Sequence, residues 1–175
     1  VYNLPDVKDK NWAVDKTVYQ IYVEGDKAYL ACGFGVVVLN LTKKEIEDTY
    51  IVGEAASKVP IYGFTSDDER FYALSDAAIF TAPKQGANLL DFHVWHQSVI
   101  VCPDTIQARN LYVAANRLYT LHNETVLMQY DQEDWTNFYV GDYGSVSWSA
   151  CAEHIVLTGG KKGIDVYTTG MLPVK

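Results

Sequence analysis

The sequence of 175 residues predicts an all-β fold built from repeated antiparallel sheets, and three observations support this prediction. Aromatic residues make up 13% of the chain, and valine and threonine are abundant, which is a composition that favours strands. Short apolar segments recur with a period of about 42 residues. The segment Tyr29–Leu41, YLACGFGVVVLNL, contains no charged residue, as expected for strands that are buried on both faces.

The repeat is clearest when two segments are aligned from their first residues. Ile21–Gly53 and Leu111–Gly141 match without a gap through three strands and two turns, and after a deletion of two residues Tyr50–Gly53 aligns with Phe138–Gly141. Phe64–Ala82 and Trp148–Thr168 follow the same scheme more loosely. One aromatic or apolar position recurs in all four copies, at Tyr29, Tyr72, Tyr119 and Val156. A period of this length, with four short strands and no helix, is typical of a β-propeller blade.

Three strands of the first blade have a sequence signature. The segments Lys27–Cys32 and Val36–Leu41 are the predicted second and third strands, joined by a turn that contains two glycines. The fourth strand, Glu45–Val52, begins with alternating polar residues and is therefore predicted to be the solvated outer strand. The glycines do not indicate a phosphate-binding loop, because such a loop must open a helix and three β-branched valines follow here.

The sequence divides into about four blades, with at most one helical turn, at Glu54–Lys58. The predicted blades are residues 15–53, 59–97, 109–141 and 144–175. Residues 1–5 are predicted to form the outer strand of a preceding blade, with Val1–Leu4 extended. The last blade lacks its outer strand. A closed ring of four blades remains an alternative, but an arc of a larger ring of about seven blades is the preferred interpretation.

Charge and composition restrict the class of function. The net charge of −8 argues against a nucleic-acid ligand, because proteins bind nucleic acids mainly by neutralising their phosphates. No apolar stretch reaches the roughly 18 residues needed to span a membrane. The three cysteines, Cys32, Cys102 and Cys151, have no metal-binding spacing and are expected to be small buried apolar residues.

Motifs that would carry catalysis or bind a metal are not found. The two histidines of HVWH, His93 and His96, would point to opposite faces of a strand and could not share an ion. The acidic run Ser66–Glu69 is expected to be a solvated turn, and Gly144–Cys151 does not match a nucleophile elbow. A propeller enzyme would need paired carboxylates on the innermost strands, which offer none. No cofactor is therefore expected.

Four aromatic residues are the candidate binding residues. Propellers bind partners through the loops at the ends of their strands, where tryptophan and tyrosine are effective anchors. The candidates are expected to be exposed in such loops, although packing between blades is the alternative for each. They are Phe34, Trp95, Trp135 and Tyr143.

The N-terminal segments resemble a known family. Val1–Lys10, VYNLPDVKDK, and Asp15–Glu54, which contains AYLACGFGVVVLNL and KKEIEDTYIVG, are similar to the first β-propeller of PorZ-type proteins from Bacteroidetes. The resemblance is specific over about a quarter of the chain and weaker in the remainder, including Trp135–Gly144. More broadly, the chain resembles the two-component-regulator propeller class.

The resemblance implies a location and partners. PorZ-type proteins carry two large propellers and a C-terminal domain, and they belong to the type IX secretion system. There they lie at the outer cell surface in an attachment complex with a sortase and assist the transfer of an anionic lipopolysaccharide to cargo. The regulator class instead supplies the periplasmic sensor of hybrid histidine kinases. Both imply a non-catalytic, extracytoplasmic interaction module, so the sensor function remains the alternative.

Overall fold

The structure is a computed structural model, and it describes residues 15–76, 78–99, 108–114, 117–122, 126–130, 135–140, 146–151, 154–159 and 163–168. These residues form four antiparallel sheets in which hydrogen-bonded neighbours are also neighbours in the chain. No helix among them is long and apolar enough to cross a membrane. The prediction of an all-β fold made of about four propeller blades is therefore confirmed, whereas the size of the complete ring stays a prediction.

Each sheet is one blade, numbered from the N-terminus. The first blade consists of β1 (Val18–Glu24), β2 (Lys27–Cys32), β3 (Gly35–Asn40) and β4 (Glu45–Tyr50). The second consists of β5 (Gly63–Ser66), β6 (Arg70–Leu74), β7 (Ala78–Pro83) and β8 (His96–Val99). The third consists of β9 (Ala108–Ala114), β10 (Arg117–His122), β11 (Val126–Tyr130) and β12 (Trp135–Val140). The described strands of the fourth are β13 (Val146–Cys151), β14 (His154–Gly159) and β15 (Gly163–Thr168).

The recurring sequence position lies at the same place in every blade. Tyr29, Tyr72, Tyr119 and Val156 are each the third residue of the second strand. Short 3-10 turns connect strands at Glu54–Ala56 and Phe92–Val94. The predicted outer strand of a preceding blade, at residues 1–5, lies outside the described residues.

The three consecutive valines are buried on both faces of the first blade. Val36 and Val38 belong to the apolar cluster that packs the first blade against the second. Val37 points to the opposite face, where it belongs to a second apolar cluster. Because neighbouring residues of a strand point to opposite faces, this arrangement explains the uninterrupted apolar run in the sequence.

Gly35 shows why the third strand begins with a small residue. Its φ of 138° lies in a region that residues with a side chain rarely adopt. A Cβ atom at this position would also lie 2.3 Å from the backbone oxygen of Tyr50. The close approach of β3 and the end of β4 therefore requires glycine.

The inner strands of the first three blades meet near one another. The side chain of Gln20, on β1, donates from Nε2 to the backbone oxygen of Leu111 at 2.9 Å. Its Oε1 accepts hydrogen bonds from the backbone N–H groups of Leu111, at 2.8 Å, and Phe64, at 3.2 Å. Gly63 permits the approach of β5 to β9, because a Cβ there would lie 2.6 Å from the Leu111 nitrogen. One side chain thus connects three inner strands.

A second polar connection joins the first two blades. Lys84 follows β7, and its Nζ lies 2.6 Å from Oε1 of Glu24 at the end of β1. The same ammonium donates to Ser66 Oγ at 3.0 Å and to the backbone oxygen of Asp67 at 2.9 Å. It also lies 5.4 Å from the centre of the Phe71 ring, within the range of a cation–π interaction. The Lys84 charge is therefore well compensated in a partly buried position.

Candidate functional site

A cleft opens where the outer parts of the first and second blades diverge. Its volume is about 330 Å³. Because propeller blades radiate from an axis, the space between neighbours widens outward and must be filled by large side chains. Here the side chains leave part of that space open. The residues that line the cleft are Val52, Glu54, Phe80, Phe92, His93, Trp95 and Gln97.

The segment that follows β4 provides the first-blade wall of the cleft. Val52 is buried, whereas Glu54 is exposed at the rim. The chain turns between them at Gly53. A Cβ atom at this position would lie only 2.3 Å from the backbone oxygen of Ser57, so the turn requires glycine. The Ser57 N–H donates to the Glu54 oxygen at 3.0 Å and closes the turn. The tight turn therefore places the Glu54 carboxylate at the edge of the cleft.

A short 3-10 turn provides the opposite wall. Asp91 caps this turn, and its Oδ1 accepts a hydrogen bond from the backbone N–H of His93 at 3.0 Å. The same oxygen lies 2.7 Å from His93 Nδ1. Both hydrogen bonds from His93 hold the pKa of the Asp91 carboxyl below its ordinary value. The rings of Phe92 and His93 lie against each other, with centroids 3.9 Å apart.

Trp95 forms the buried floor of the cleft. Its side chain packs against Tyr50 and Phe64, with ring centroids 6.0 and 6.5 Å apart. The indole Nε1 donates to the backbone oxygen of Leu89 at 3.1 Å, so its polar group is already satisfied. Burial beside Asp48 and Glu47 raises the pKa of the neighbouring Tyr50 to about 12, so its hydroxyl stays neutral at physiological pH.

The structure corrects the expected exposure of two candidate aromatic residues. Phe34 is only 3% exposed and belongs to the apolar cluster on the far face of the first blade. Trp95 is 5% exposed, although it does line the cleft. Both predictions of exposure are wrong because a residue next to a turn can still fold its ring back between blades. Trp135 begins β12, and Tyr143 lies outside the described residues. Partner binding by all four residues stays a prediction.

Sequence reasoning missed the other residues that line the cleft. Glu54 and Gln97 are single polar residues without a motif, and only the packing of two blades brings them together. A usable signal was present in Asp91–Trp95, DFHVW, because an aspartate before aromatic residues can cap a short turn. His93 lies in this turn and His96 begins β8, so the prediction that both histidines lie on one strand is wrong.

Two chemical features of the described part of the chain bear on catalysis. It contains no group of three or more His, Cys, Asp or Glu side chains that could hold a metal ion. Cys32 is free and buried, and burial raises its pKa to about 11, so its thiol is unreactive at neutral pH. The acidic run forms the turn between β5 and β6, where Asp67 Oδ1 accepts hydrogen bonds from the N–H groups of Glu69 and Arg70.

The fold and its family can now be assigned. Successive antiparallel sheets, each with its strands in chain order, define the protein as a β-propeller. A sequence profile of the family described as "TSS9, PorZ, N-terminal beta-propeller domain" matches residues 1–96. The chain belongs to this family, and the resemblance seen in its N-terminal segments is confirmed.

Solved structures agree with this assignment of the fold. PorZ of Porphyromonas gingivalis, a surface component of the type IX secretion system, is 20% identical with a TM-score of 0.68, over 95% of this chain and 23% of that chain. The extracellular domain of BT4673 from B. thetaiotaomicron is 14% identical with a TM-score of 0.56, over 91% and 21%. The computationally designed protein Ika4 is 7% identical with a TM-score of 0.54, over 87% and 91%. A comparison with curated protein sequences finds no match.

Proposed function

We propose that this chain is a non-catalytic interaction module of a PorZ-like component of the type IX secretion system. The observation that carries the proposal is the family match over residues 1–96, which contains the first blade, the second blade up to the start of β8, and every residue that lines the cleft except Gln97. The chain spans 23% of the length of the PorZ structure, so the role of the whole protein is itself part of the proposal. The blades supply the rigid surface on which other proteins dock.

The proposed location and partners follow from the same family membership. The module is extracytoplasmic and acts at the outer cell surface. There it supports attachment of secreted cargo by contact with a surface sortase and with an anionic lipopolysaccharide. The cleft at the outer edge of the first two blades is the candidate contact point for a protein partner within the described residues, because it combines aromatic rings with polar groups at its rim.

Affinity capture with the full-length parent protein tests this function. The tagged parent is recovered from detergent-solubilised cell envelopes, and bound proteins and glycans are identified by mass spectrometry and sugar analysis. We expect a sortase and other secretion components to be enriched over a control preparation that carries the tag on an unrelated surface propeller. Recovery of signalling proteins without any secretion component would contradict the proposal.

The similarity to BT4673 supports a second candidate function. That protein is described as a one-component or a hybrid two-component system, and the part that matches is its extracellular domain. A sensor propeller would require a membrane span and a signalling domain in the same polypeptide. The sequence of the parent gene discriminates between the two functions, since a second propeller and a short C-terminal domain favour secretion.

A further inference from the structure

The inter-blade cleft has walls that favour a cation. Three of its seven lining residues, Phe80, Phe92 and Trp95, carry benzenoid rings. The face of such a ring carries negative electrostatic potential and attracts an ammonium or guanidinium group within about 6 Å of its centre. Phe92 is half-buried at the mouth and therefore presents part of its ring to an incoming group.

The charges around the cleft favour the same kind of ligand. Glu54 contributes a carboxylate at the rim, and Gln97 contributes an amide oxygen that accepts hydrogen bonds. The lining residues within the described ranges include no lysine or arginine. Among the described residues that line the cleft, the basic group is the His93 imidazole, which lies 2.7 Å from the Asp91 carboxylate. The net charge of −8 attracts cations at longer range.

The size of the cleft restricts the ligand to a small group. A volume of about 330 Å³ lies at the lower end of the range found for ligand pockets. This volume suits one long side chain better than a folded chain segment or an oligosaccharide. A planar guanidinium can stack on an aromatic ring and donate two hydrogen bonds to a carboxylate at the same time, which a lysine ammonium cannot.

We propose that the cleft between the first and second blades binds an arginine side chain presented by a partner protein. Glu54 accepts the guanidinium hydrogen bonds, and Phe92 supports the guanidinium plane. Trp95 and Phe80 close the floor and exclude water, which strengthens the electrostatic attraction. The proposal concerns the chemistry of the cleft and does not depend on the secretion function.

Saturation-transfer difference NMR tests the proposal with the full-length parent. The probe is N-acetyl-arginine methylamide, and its neutral isostere, N-acetyl-citrulline methylamide, is the matched ligand control. We expect saturation transfer to the arginine probe with millimolar affinity and roughly fivefold weaker binding of the citrulline probe. Equal binding of the two probes, or no transfer to the arginine probe, would overturn the proposal.

Variants then locate the binding site. We expect Glu54→Gln to weaken binding of the arginine probe roughly fivefold and Phe92→Leu to weaken it about threefold. Glu69→Gln, an exposed carboxylate in the β5–β6 turn, is the matched control and should leave the affinity unchanged. Circular dichroism and thermal melting establish that each variant is folded. If Glu54→Gln is folded and binds as wild type, or if Glu69→Gln weakens binding equally, the assignment to this cleft is wrong.

Discussion

The two faces of the inner strand β1 differ in how they are connected to the rest of the protein. On the face toward the second blade, Gln20 is 8% exposed and hydrogen-bonded to two other inner strands. On the opposite face, Ile21 and Val23 are 61% and 57% exposed. The sequence of this strand is apolar on the exposed face and polar on the buried one. At the centre of the propeller, the buried Gln20 amide supplies the polar partners that backbone groups of the converging strands need.

Loss of the Gln20 side chain should have the largest effect on stability. Gln20→Leu removes partners from two buried N–H groups and one buried carbonyl, and each unsatisfied group costs about 1–3 kcal/mol. We expect the free energy of unfolding to fall by about 3 kcal/mol in urea denaturation. Gln85→Leu, at an exposed position, is the control and should change it little. A loss below about 1 kcal/mol for Gln20→Leu would show that the three strands do not depend on this side chain.

Removal of the Lys84 ammonium should have the next largest effect. Lys84→Met leaves the partly buried Glu24 carboxylate without its ion pair, and we expect a loss of about 2 kcal/mol in the same assay. Lys43→Met is the matched control, because its ion pair with Glu45 spans 3.9 Å between two exposed side chains and should contribute little. Equal losses for the two lysine variants would contradict a special role of the connection between blades.

The pH dependence of stability should report on Asp67. Burial raises the pKa of its carboxyl, but hydrogen bonds from Tyr72, Arg70 and Glu69 outweigh burial, and the pKa lies below its ordinary value of 3.8. A carboxyl with a lowered pKa in the folded state stabilises it at neutral pH, and this contribution disappears as the pH falls through that pKa. Asp67→Asn should therefore destabilise the protein at neutral pH and not below the lowered pKa. The free energy of unfolding of the wild type and of Asp67→Asn, measured from pH 7 downward, checks this prediction. A difference between the two proteins that does not change with pH would contradict it.

Substitution on the exposed face of β1 should have the smallest effect. Ile21→Ser changes a side chain that is 61% exposed, so we expect the free energy of unfolding of this chain to change by no more than about 0.5 kcal/mol. Val38→Ser, within the cluster between the first two blades, is the contrasting variant and should cost several times more. A large loss for Ile21→Ser would mean that the two faces are equally important and that the comparison is wrong.

The sequence predicted the strands well because their signals are local. The period of the repeat, the recurring tyrosine and the doubly buried valines all depend on residues close together in one blade. Contacts between blades were harder to predict. Gln20 resembles an ordinary strand residue, and its partner Leu111 is 91 positions away. The burial of Phe34 and Trp95 and the presence of the cleft depend in the same way on which surfaces face each other.

The Gln20 hydrogen bonds also constrain the order in which the chain can fold during synthesis. The inner strand of the first blade leaves the ribosome well before Leu111, so the two hydrogen bonds between Gln20 and Leu111 cannot form until the third blade has emerged. Until then, among the described residues, the Phe64 N–H of the second blade is the only native partner available to the Gln20 side chain, and its Nε2 group depends on water. The hydrogen bonds between the inner strands are therefore completed late in folding. An arrest in translation between the second and third blades would leave a partly folded chain that unfolds easily.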